Sequence, residues 1–428
     1  MFFAFYTLGC KVNQYETQSM REQLIARGFS PADSYEKADV VIINSCTVTA
    51  ESDRKTRQAV RRFRRMLPSA IIVLCGCVPA AFSEIGTDLP EADIIFENAG
   101  DGRLPDLIEA YLKNKERIID IKEHKKGEVF CTPPITDFSE RTRAFVKIED
   151  GCDRFCSYCI IPTARGRVRS RGVDDIKAEV SALAARGFCE VVLVGINLSA
   201  YGKDTGLNLC DAVSAVAEVS GIKRIRLGSL EPDHISEEML TRLRAEEKFC
   251  PQFHLSLQSG CDATLARMNR HYDAQFYREL IGRIRHVFPD CSITTDIMVG
   301  FAGETNEDFE CSVRFAREIG FAKAHIFAYS RRKGTRADNF DGQIENAVKA
   351  KRSQIMIAEC KKCEEEFLDS QLGRVFPVLF EQWEDGFCEG YTPNYTRVRV
   401  PCDRCVCGQI LDVLLLSREG ECCIGEII

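Results

Sequence analysis

The first quarter of the chain alternates apolar runs with amphipathic segments, and this alternation restricts it to a small number of folds. The apolar runs are rich in β-branched and aromatic residues, which is typical of buried strands, and the segments between them have helical spacing. Strands that alternate with helices pair in parallel, so we predict a parallel α/β domain over residues 1–125. The predicted strands cover 2–8, 39–45, 70–76 and 92–97, and the predicted helices cover 13–29 and 50–66.

A second series of strands and helices follows an irregular, charged segment at 120–140 that contains two adjacent prolines. Its six predicted strands are fewer than a complete (β/α) barrel needs, so we expect an open, partial (β/α)6 TIM barrel over residues 138–370. The loops after the strands are glycine-rich and polar, and barrel enzymes place their chemistry at that end. The predicted strands cover 144–148, 190–195, 224–229, 253–258, 292–300 and 323–330.

From residue 371 the pattern changes to short strands separated by turns, which is typical of a small all-β barrel of the oligonucleotide-binding (OB) kind. The predicted fold class is therefore α/β, with a Rossmann-like N-terminal domain, a partial TIM barrel and an OB-like barrel over 371–428. Residues 372–428 carry five basic and nine acidic side chains, so a nucleic-acid contact there must depend on a local patch. Arg397 and Arg399 are the best candidates for that patch.

The composition is that of a soluble globular protein, with 45% hydrophobic and 28% charged residues. The N-terminus lacks the basic region of a signal peptide, and the longest nearly uncharged run, at 70–82, is too short to cross a bilayer. We therefore expect a cytoplasmic protein without a membrane association. In a reducing compartment, the 22 cysteines favour metal binding or catalysis over a disulfide framework.

Three cysteines, Cys152, Cys156 and Cys159, lie directly after the first predicted strand of the barrel, in the stretch GCDRFCSYCIIP. Three thiolates on one loop can hold three irons of a [4Fe–4S] cluster and leave the fourth iron open, which is the mark of a catalytic centre. The alternative is a zinc site with a distant fourth ligand, but no histidine is near in sequence. The spacing favours the cluster.

Three further cysteines, Cys10, Cys46 and Cys77, follow the first three predicted strands of the N-terminal domain. The carboxyl ends of parallel strands are where ligands gather, so these positions indicate a second site. Cys75 is an alternative to Cys77, because residues two apart on a strand point to the same face. Cys77 is preferred because it lies further into the loop.

Several motifs, in the same order along the chain, resemble those of the radical S-adenosylmethionine superfamily and, within it, the methylthiotransferase branch. The resemblance covers essentially the whole chain. It implies that the open iron of a cluster on Cys152, Cys156 and Cys159 binds S-adenosylmethionine, whose cleavage yields a 5′-deoxyadenosyl radical. The motifs are GCDRFCSYCIIPTARGRVRSR, GINLSAYG, LGSLEP, LSLQSG, DIMVGFAGET and YSRRKGT.

The same resemblance implies an auxiliary [4Fe–4S] cluster on Cys10, Cys46 and Cys77, and identifies the C-terminal barrel with the RNA-binding TRAM domain of the family. One molecule of S-adenosylmethionine then donates a methyl group to sulfur on the auxiliary cluster, and a second yields the radical. All six cysteines are therefore candidate catalytic residues. The sequence departs from the family after Cys77, where VPA replaces the more usual tyrosine, alanine and glutamine.

The stretch TLGCKVNQYET around the first cysteine resembles the class that adds a methylthio group at C2 of N6-threonylcarbamoyladenosine (t6A) at position 37 of tRNA. The alternatives within the family act on isopentenyladenosine in tRNA or on an aspartate of a ribosomal protein. The alternatives outside it are a non-catalytic, zinc-stabilised RNA-binding protein and a radical enzyme with a small-molecule substrate. The glycine-rich barrel loops favour an enzyme, and the terminal β-barrel favours a macromolecular substrate.

The expected partners are a tRNA anticodon stem-loop and a flavodoxin- or ferredoxin-like electron donor, with the protein acting as a monomer and not on DNA. Residues 54–65 carry seven basic and no acidic side chains, which indicates either a solvated helix face or a phosphate-contacting patch. The candidate RNA contacts there are Arg61, Arg62 and Arg65. The family resemblance implies these contacts to S-adenosylmethionine: Tyr158, Asn197, Glu231, Gln258, Arg270 and Val299.

Overall fold

The computed structural model describes residues 1–98, 102–125, 127–138 and 141–428, and its N-terminal domain is a parallel sheet between two layers of helices. The strands are β1 (Phe2–Thr7), β2 (Ser30–Pro31), β3 (Val40–Ser45), β4 (Ile71–Gly76), β5 (Ile94–Phe96) and β6 (Ile118–Asp120). The helices are α1 (Lys11–Ala26), α2 (Ala50–Met66), α3 (Cys77–Ala81), α4 (Ile85–Asp88) and α5 (Leu104–Asn114). The sheet order is β2-β1-β3-β4-β5-β6, which confirms the predicted parallel α/β domain.

The central strands β3 and β4 are buried along their whole length because helices cover both faces of the sheet. Ile42 belongs to the apolar cluster on the face of α1, whereas Ile43 belongs to the cluster of Phe63 from α2 on the other face. The apolar pattern predicts these strands because nearly every residue is hydrophobic. The pattern does not predict β2 and β6, which are short edge strands with exposed residues.

The second domain is an open barrel. Its strands are β7 (Ala144–Lys147), β8 (Glu149–Asp150), β9 (Arg169–Ser170), β10 (Glu190–Val194), β11 (Arg224–Leu227), β12 (Ser229–Leu230), β13 (Gln252–Leu255), β14 (Ser292–Val299) and β15 (Lys323–Ala328). Its helices are α6 (Ile161–Arg165), α7 (Val173–Ala185), α8 (Leu209–Ala217), α9 (Glu237–Ala245), α10 (Asp262–Arg267), α11 (Ala274–Val287), α12 (Asn306–Ile319) and α13 (Asn346–Asp369). Neither these helices nor any other in the described part of the chain has the length and apolar composition needed to span a membrane.

The parallel strands of the barrel form two adjoining sheets, β11-β10-β7 and β12-β13-β14-β15. Only Gly228 separates β11 from β12, so one stretch of chain belongs to both sheets. Counting that stretch once, the barrel has the six predicted strands, and the partial (β/α)6 barrel is confirmed. The short strands β8 and β9 pair with each other in an antiparallel ribbon that flanks the loop of Cys152.

The C-terminal domain is a closed five-stranded barrel, as predicted. Its strands are β16 (Val375–Glu384), β17 (Phe387–Tyr391), β18 (Arg397–Pro401), β19 (Ile410–Glu419) and β20 (Cys422–Ile427). They close in the order β16-β17-β18-β20-β19, and every pair is antiparallel except β18 with β20. Closure leaves no unpaired sheet edge, which stabilises a barrel this small.

The segment predicted as a linker packs against the domains on both sides of it. The Pro133 carbonyl accepts hydrogen bonds from Tyr15 (3.4 Å) and Ser19 (2.9 Å) of α1. Ile135 and Phe138 are buried in the apolar core of the barrel. These contacts join the N-terminal domain to the barrel, and the sequence limits given above for the three domains stay predictions.

Gly76 ends β4 immediately before Cys77, with φ of +94°, and a Cβ there would lie 2.5 Å from the Ser45 carbonyl oxygen. We expect Gly76→Ala to lower the free energy of unfolding by about 3 kcal/mol, since backbone strain and a clash with β3 add together. Gly28→Ala is the matched control, because Gly28 also has a positive φ (+83°) but a Cβ added there would have no other atom within 4 Å. It should cost only about 1 kcal/mol. Urea titrations of both variants measure the difference, and equal losses would contradict the clash.

Candidate active site

Cys152, Cys156 and Cys159 lie on one loop between β8 and α6, at the carboxyl end of the barrel strands. Gly151 begins the loop with φ of +88° and lies so close to the Arg167 carbonyl that no side chain fits there. The Cys159 amide donates to the Cys156 carbonyl (3.0 Å), which folds the loop into a tight turn. Burial, and then the neighbouring thiols, raise the pKa of Cys152 to about 12 and raise that of Cys159 as well. The three cysteines therefore lie on one short, tightly folded loop.

Polar side chains of the barrel border this cysteine loop. Arg270 Nη1 lies 3.3 Å from the Cys156 sulfur, and the same guanidinium forms an ion pair with the Glu231 carboxylate. Asn197 Nδ2 lies 3.7 Å from the Cys152 sulfur. The structure therefore brings three of the side chains expected to contact S-adenosylmethionine to the cysteines expected to hold its cluster.

Two buried oxygens at this end of the barrel, Asn197 Oδ1 and Gln258 Oε1, have no hydrogen-bond partner among the described residues. Leaving such atoms unpaired costs about 1–3 kcal/mol each, so the site fits a bound polar group such as the amino-acid part of S-adenosylmethionine. Tyr158 is half-buried on the cysteine loop, and its ring packs edge-on against Phe301 (6.3 Å). Val299 is 1% exposed and belongs to the apolar core of the barrel, at the end of β14.

Cys10, Cys46 and Cys77 lie at the carboxyl ends of β1, β3 and β4, which are neighbours in the sheet. A Cβ on Gly9 would lie 2.8 Å from Cys46 Cβ, so the first two cysteine loops approach each other closely. Burial raises the pKa of Cys77 to about 12. The Arg165 guanidinium lowers this pKa, and the thiols of Cys46 and Cys10 raise it further. The three cysteines of this second trio thus follow three adjacent strands at the same edge of the sheet.

Cys75 and Cys77 lie in different surroundings because β4 ends between them, at Gly76. Cys75 belongs to the apolar core on the α1 face of the sheet, where its thiol points at the Ile43 carbonyl (3.7 Å). The Cys77 sulfur instead accepts a hydrogen bond from Arg165 Nε (3.3 Å). This placement favours Cys77 over Cys75 as the third cysteine of the trio.

Arg165 joins the two trios. It lies at the end of α6, the helix that follows Cys159, and it reaches across to the Cys77 sulfur of the other domain. Its guanidinium also pairs with the Glu16 carboxylate of α1, with Nη2 lying 3.0 Å from Oε2. Because Arg165 is completely buried, these contacts hold the two trios on facing sides of one interface.

The charges around Arg165 form a buried network that sequence reasoning missed. Lys147 Nζ lies 2.8 Å from Glu16 Oε1 and 2.7 Å from Asp150 Oδ2. Although burial alone would raise the pKa of Glu16, Arg165 and Lys147 lower it below its ordinary value. Glu16 and Arg165 both lie within the quoted motifs, but spacing along the chain gives no sign that they pair.

A cavity of about 820 Å³ lies beside Cys10, where the N-terminal domain, the inside of the partial barrel and the C-terminal barrel meet. Its volume is typical of sites that enclose an organic ligand. The loop of Cys10 and Lys11 forms one wall, and His254 and Asp296 line the interior of the barrel. Lys11 is exposed to solvent within this open cavity, and the surrounding protein, followed by the guanidinium groups of Arg143 and Arg226, lowers its pKa to about 8.

Two stacked tyrosines, Tyr391 and Tyr395, form the wall that the C-terminal barrel contributes to the cavity. Their ring centroids are 4.6 Å apart, with an interplanar angle of 17°. Arg143 and Arg226 of the TIM-type barrel lie over them, with Arg226 4.6 Å from the Tyr395 ring. Aromatic rings and guanidinium planes are the surfaces on which unpaired RNA bases stack.

The predicted RNA contacts have unequal surroundings. Arg61, Arg62 and Arg65 are exposed on α2 and line a shallow groove; Arg62 and Arg65 have no acidic partner within the described ranges. Arg397 forms a hydrogen-bonded ion pair with Glu389 (2.6 Å), and Arg399 lies over the Phe387 ring (4.6 Å). The helix α2 therefore offers free cations, whereas the charge of Arg397 is already neutralised.

A CxxxCxxC loop at the mouth of a partial barrel, with unpaired buried oxygens beside it, defines an enzyme of the radical S-adenosylmethionine class. Residues 146–316 match the Radical SAM superfamily, and residues 3–97 match Uncharacterized protein family UPF0004. Across the described residues, no three histidine, cysteine or acidic side chains converge on a point that could hold one metal ion.

Relatives with established names extend over the whole chain. The threonylcarbamoyladenosine tRNA methylthiotransferase MtaB of Chlamydia pneumoniae is 36% identical and covers 100% of this chain and 98% of its own length. MtaB of Bacillus subtilis (strain 168) is 33% identical, with 98% and 95% covered. The tRNA-2-methylthio-N(6)-dimethylallyladenosine synthase of Caldicellulosiruptor saccharolyticus is 34% identical, with 99% and 91% covered. The chain belongs to the radical S-adenosylmethionine tRNA methylthiotransferase family.

A solved structure shares the fold. The radical S-adenosylmethionine methyltransferase TsrM from Kitasatospora setae, with cobalamin and a [4Fe–4S] cluster bound, superimposes with a TM-score of 0.57. It is 14% identical in sequence and matches 78% of this chain and 76% of its own. The family implies [4Fe–4S] clusters and S-adenosylmethionine as cofactors, and the grouped thiols fit them. The alternative of a non-catalytic RNA-binding protein is wrong.

The different surroundings of Cys75 and Cys77 can be tested by iron analysis. After anaerobic purification and reconstitution, we expect Cys77→Ala to lower the iron content from about eight to about four per chain, since one of two clusters loses a ligand. Cys75→Ala is the matched control and should keep all of the iron, because its thiol faces the core. Loss of iron from Cys75→Ala alone would show that the assignment of the third ligand is wrong.

The free cations of α2 can be tested by tRNA binding at several salt concentrations. The double variant Arg62→Gln, Arg65→Gln should bind tRNA more weakly. The slope of log affinity against log salt should become shallower by roughly 0.7–0.9 for each phosphate that the helix no longer binds. Arg54→Gln is the matched control on the same helix, because Arg54 is already paired with Glu51 (2.5 Å). An unchanged slope in the double variant would leave α2 as a solvated face.

Proposed function

We propose that the chain methylthiolates C2 of N6-threonylcarbamoyladenosine at position 37 of tRNA, with Cys152, Cys156 and Cys159 holding one [4Fe–4S] cluster and Cys10, Cys46 and Cys77 holding an auxiliary one. The contact of Arg165 with Cys77, on the interface between the two trios, carries this proposal. When bound, the first cluster and S-adenosylmethionine supply a hydrogen-abstracting radical, and the auxiliary cluster supplies the sulfur.

The residues of the chain bind and orient S-adenosylmethionine and enclose the site. Arg270 is held by Glu231 and lies against Cys156, and we propose that it pairs there with the carboxylate of S-adenosylmethionine. Asn197 and Gln258 supply the unpaired buried oxygens for the amino group of that cofactor. Arg165 is completely buried, so its own contact with the Cys77 sulfur is closed to water.

The choice of threonylcarbamoyladenosine depends on the names of the relatives and on the stretch around Cys10. Relatives named for this nucleoside match the chain at 36% and 33% identity over nearly its whole length. A relative named for dimethylallyladenosine matches at 34%, so that nucleoside is the second candidate. The wall of the cavity carries ionisable side chains, including Lys11 and Asp296, which suits a charged substituent better than an apolar one.

The anticodon stem-loop is proposed to lie across α2, with its target base unstacked and inserted beside Cys10, as enzymes that modify a base require. The stacked pair Tyr391 and Tyr395 then receives a neighbouring base. The reaction needs one-electron reduction, for which we propose a flavodoxin- or ferredoxin-like donor. We propose a cytoplasmic monomer that does not act on DNA.

The division of labour between the trios is tested with an anticodon stem-loop that carries t6A. The wild type should yield the 2-methylthio nucleoside, measured by mass spectrometry. Cys156→Ala should abolish both this product and 5′-deoxyadenosine release, because the radical source is lost. Cys10→Ala should abolish the product and keep 5′-deoxyadenosine release.

Cys311→Ala, on α12 and far from both trios in sequence, is the control and should behave as the wild type. Equal loss of 5′-deoxyadenosine from Cys10→Ala and Cys156→Ala would contradict separate roles. A wild type that modifies isopentenyladenosine and leaves t6A unchanged would replace the proposed nucleoside by the second candidate.

A further inference from the structure

The cavity beside Cys10 contains one cation whose charge no carboxylate of the described residues neutralises. Four cationic side chains line it: Lys11, Arg226, Lys323 and Arg397. Three of them are paired: Arg226 with Glu190 (3.0 Å), Lys323 with Glu421 (3.0 Å) and Arg397 with Glu389 (2.6 Å). Lys11 has neither an ion pair nor a hydrogen bond with any residue in the described ranges, and its ammonium lies 5.9 Å from the Phe145 ring.

None of the acidic side chains that line the cavity forms an ion pair with Lys11 in the described part of the chain. Asp296 lies 3.2 Å from His254, and Glu364 and Glu421 both lie against Lys323. The charged groups that act on Lys11 are instead mainly cationic. The largest of these influences come from the guanidinium groups of Arg143, Arg226 and Arg141, and the Cys10 thiol acts in the opposite direction. Because Arg226 is paired with Glu190 and Arg143 with Glu381 (2.5 Å), Lys11 is the cation in this corner of the described cavity that is left to pair with an anion from outside the chain.

We infer that Lys11 binds the carboxylate of the threonylcarbamoyl group and thereby selects this nucleoside, an inference that rests on the proposed function. Lys11 directly follows Cys10, so it lies at the place where the target base is proposed to be held. A threonylcarbamoyl group ends in a carboxylate, which an ammonium recognises by a charge-assisted hydrogen bond. An isopentenyl group has no charge and would leave Lys11 unpaired, which is how a site rejects a substrate that lacks a polar group.

A different role for Lys11 is to balance the negative charge of the cluster that Cys10 is proposed to hold. The two roles predict different results. A residue that serves the cluster acts equally on every substrate and changes the iron content or the electron paramagnetic resonance of the cluster. A residue that binds the carboxylate acts only on substrates that have one.

The test compares Lys11→Gln with the wild type on three stem-loops. One carries t6A, the second carries t6A with its carboxylate converted to a primary amide, and the third carries isopentenyladenosine. Lys11→Gln should lower kcat/KM for t6A by about 10-fold to 100-fold, mainly through KM, since a hydrogen bond to a charged group is removed. It should change kcat/KM for the amide by less than about threefold, because the amide has no charge for Lys11 to pair with. Lys11→Arg should restore most of the preference for t6A.

Lys37→Gln is the control, because it removes an exposed lysine of the same domain that is paired with Asp33 (3.2 Å) and does not line the cavity, and it should behave as the wild type. Equal losses on t6A and on its amide, or a loss of iron from Lys11→Gln, would overturn the inference in favour of the cluster role. Undiminished activity of Lys11→Gln on t6A would overturn it as well. A wild type that modifies only isopentenyladenosine would overturn the proposed function and the inference together, a result distinct from the others.

Discussion

Arg165 and Lys147 are buried cations that lie against two buried carboxylates, Glu16 and Asp150, at the interface between the N-terminal domain and the barrel. Removing an ion from water costs several kcal/mol, and the mutual attraction offsets this only where each charge has well-placed partners. Here the partners come from different domains, because Glu16 belongs to α1 and the other three belong to the barrel. If the two domains separated, Arg165 and Lys147 would both lose Glu16 as a partner. The network therefore holds the two domains together as one unit.

The network also fixes where the cysteines lie. Arg165 is part of the helix that follows Cys159, and it donates a hydrogen bond to Cys77, so its own bonds limit the distance between the trios. A second arginine of the barrel, Arg332, pairs with Asp53 (2.7 Å) and also contacts Thr47, the residue after Cys46. Two barrel arginines therefore hold the loops of two cysteines. Chemistry that passes between two metal centres needs such positioning more than it needs flexible domains.

The sequence predicts most of the architecture because the information is local. Apolar runs identify the principal strands, and cysteines at strand ends identify both trios, since parallel strands present their carboxyl ends together. The pairing of Glu16 with Arg165 could not be predicted, because it depends on how two domains dock across a long separation in sequence. Arg397 has a different explanation: the basic pattern of β18 marks it as an RNA contact, but the pairing of β17 with β18 brings Glu389 within reach of its guanidinium.

The acidic balance of the C-terminal barrel illustrates why the charge of one domain is a poor guide to the charge of a site. Its stacked tyrosines face the cavity, but the guanidinium groups over them, from Arg143 and Arg226, belong to the neighbouring barrel. These arginines also contact the C-terminal barrel directly: Arg226, for example, donates a hydrogen bond to the Pro393 carbonyl (2.8 Å). The C-terminal domain thus supplies aromatic surface and the barrel supplies positive charge. A surface that suits an RNA base arises only where the two meet, which is also where Cys10 opens into the cavity.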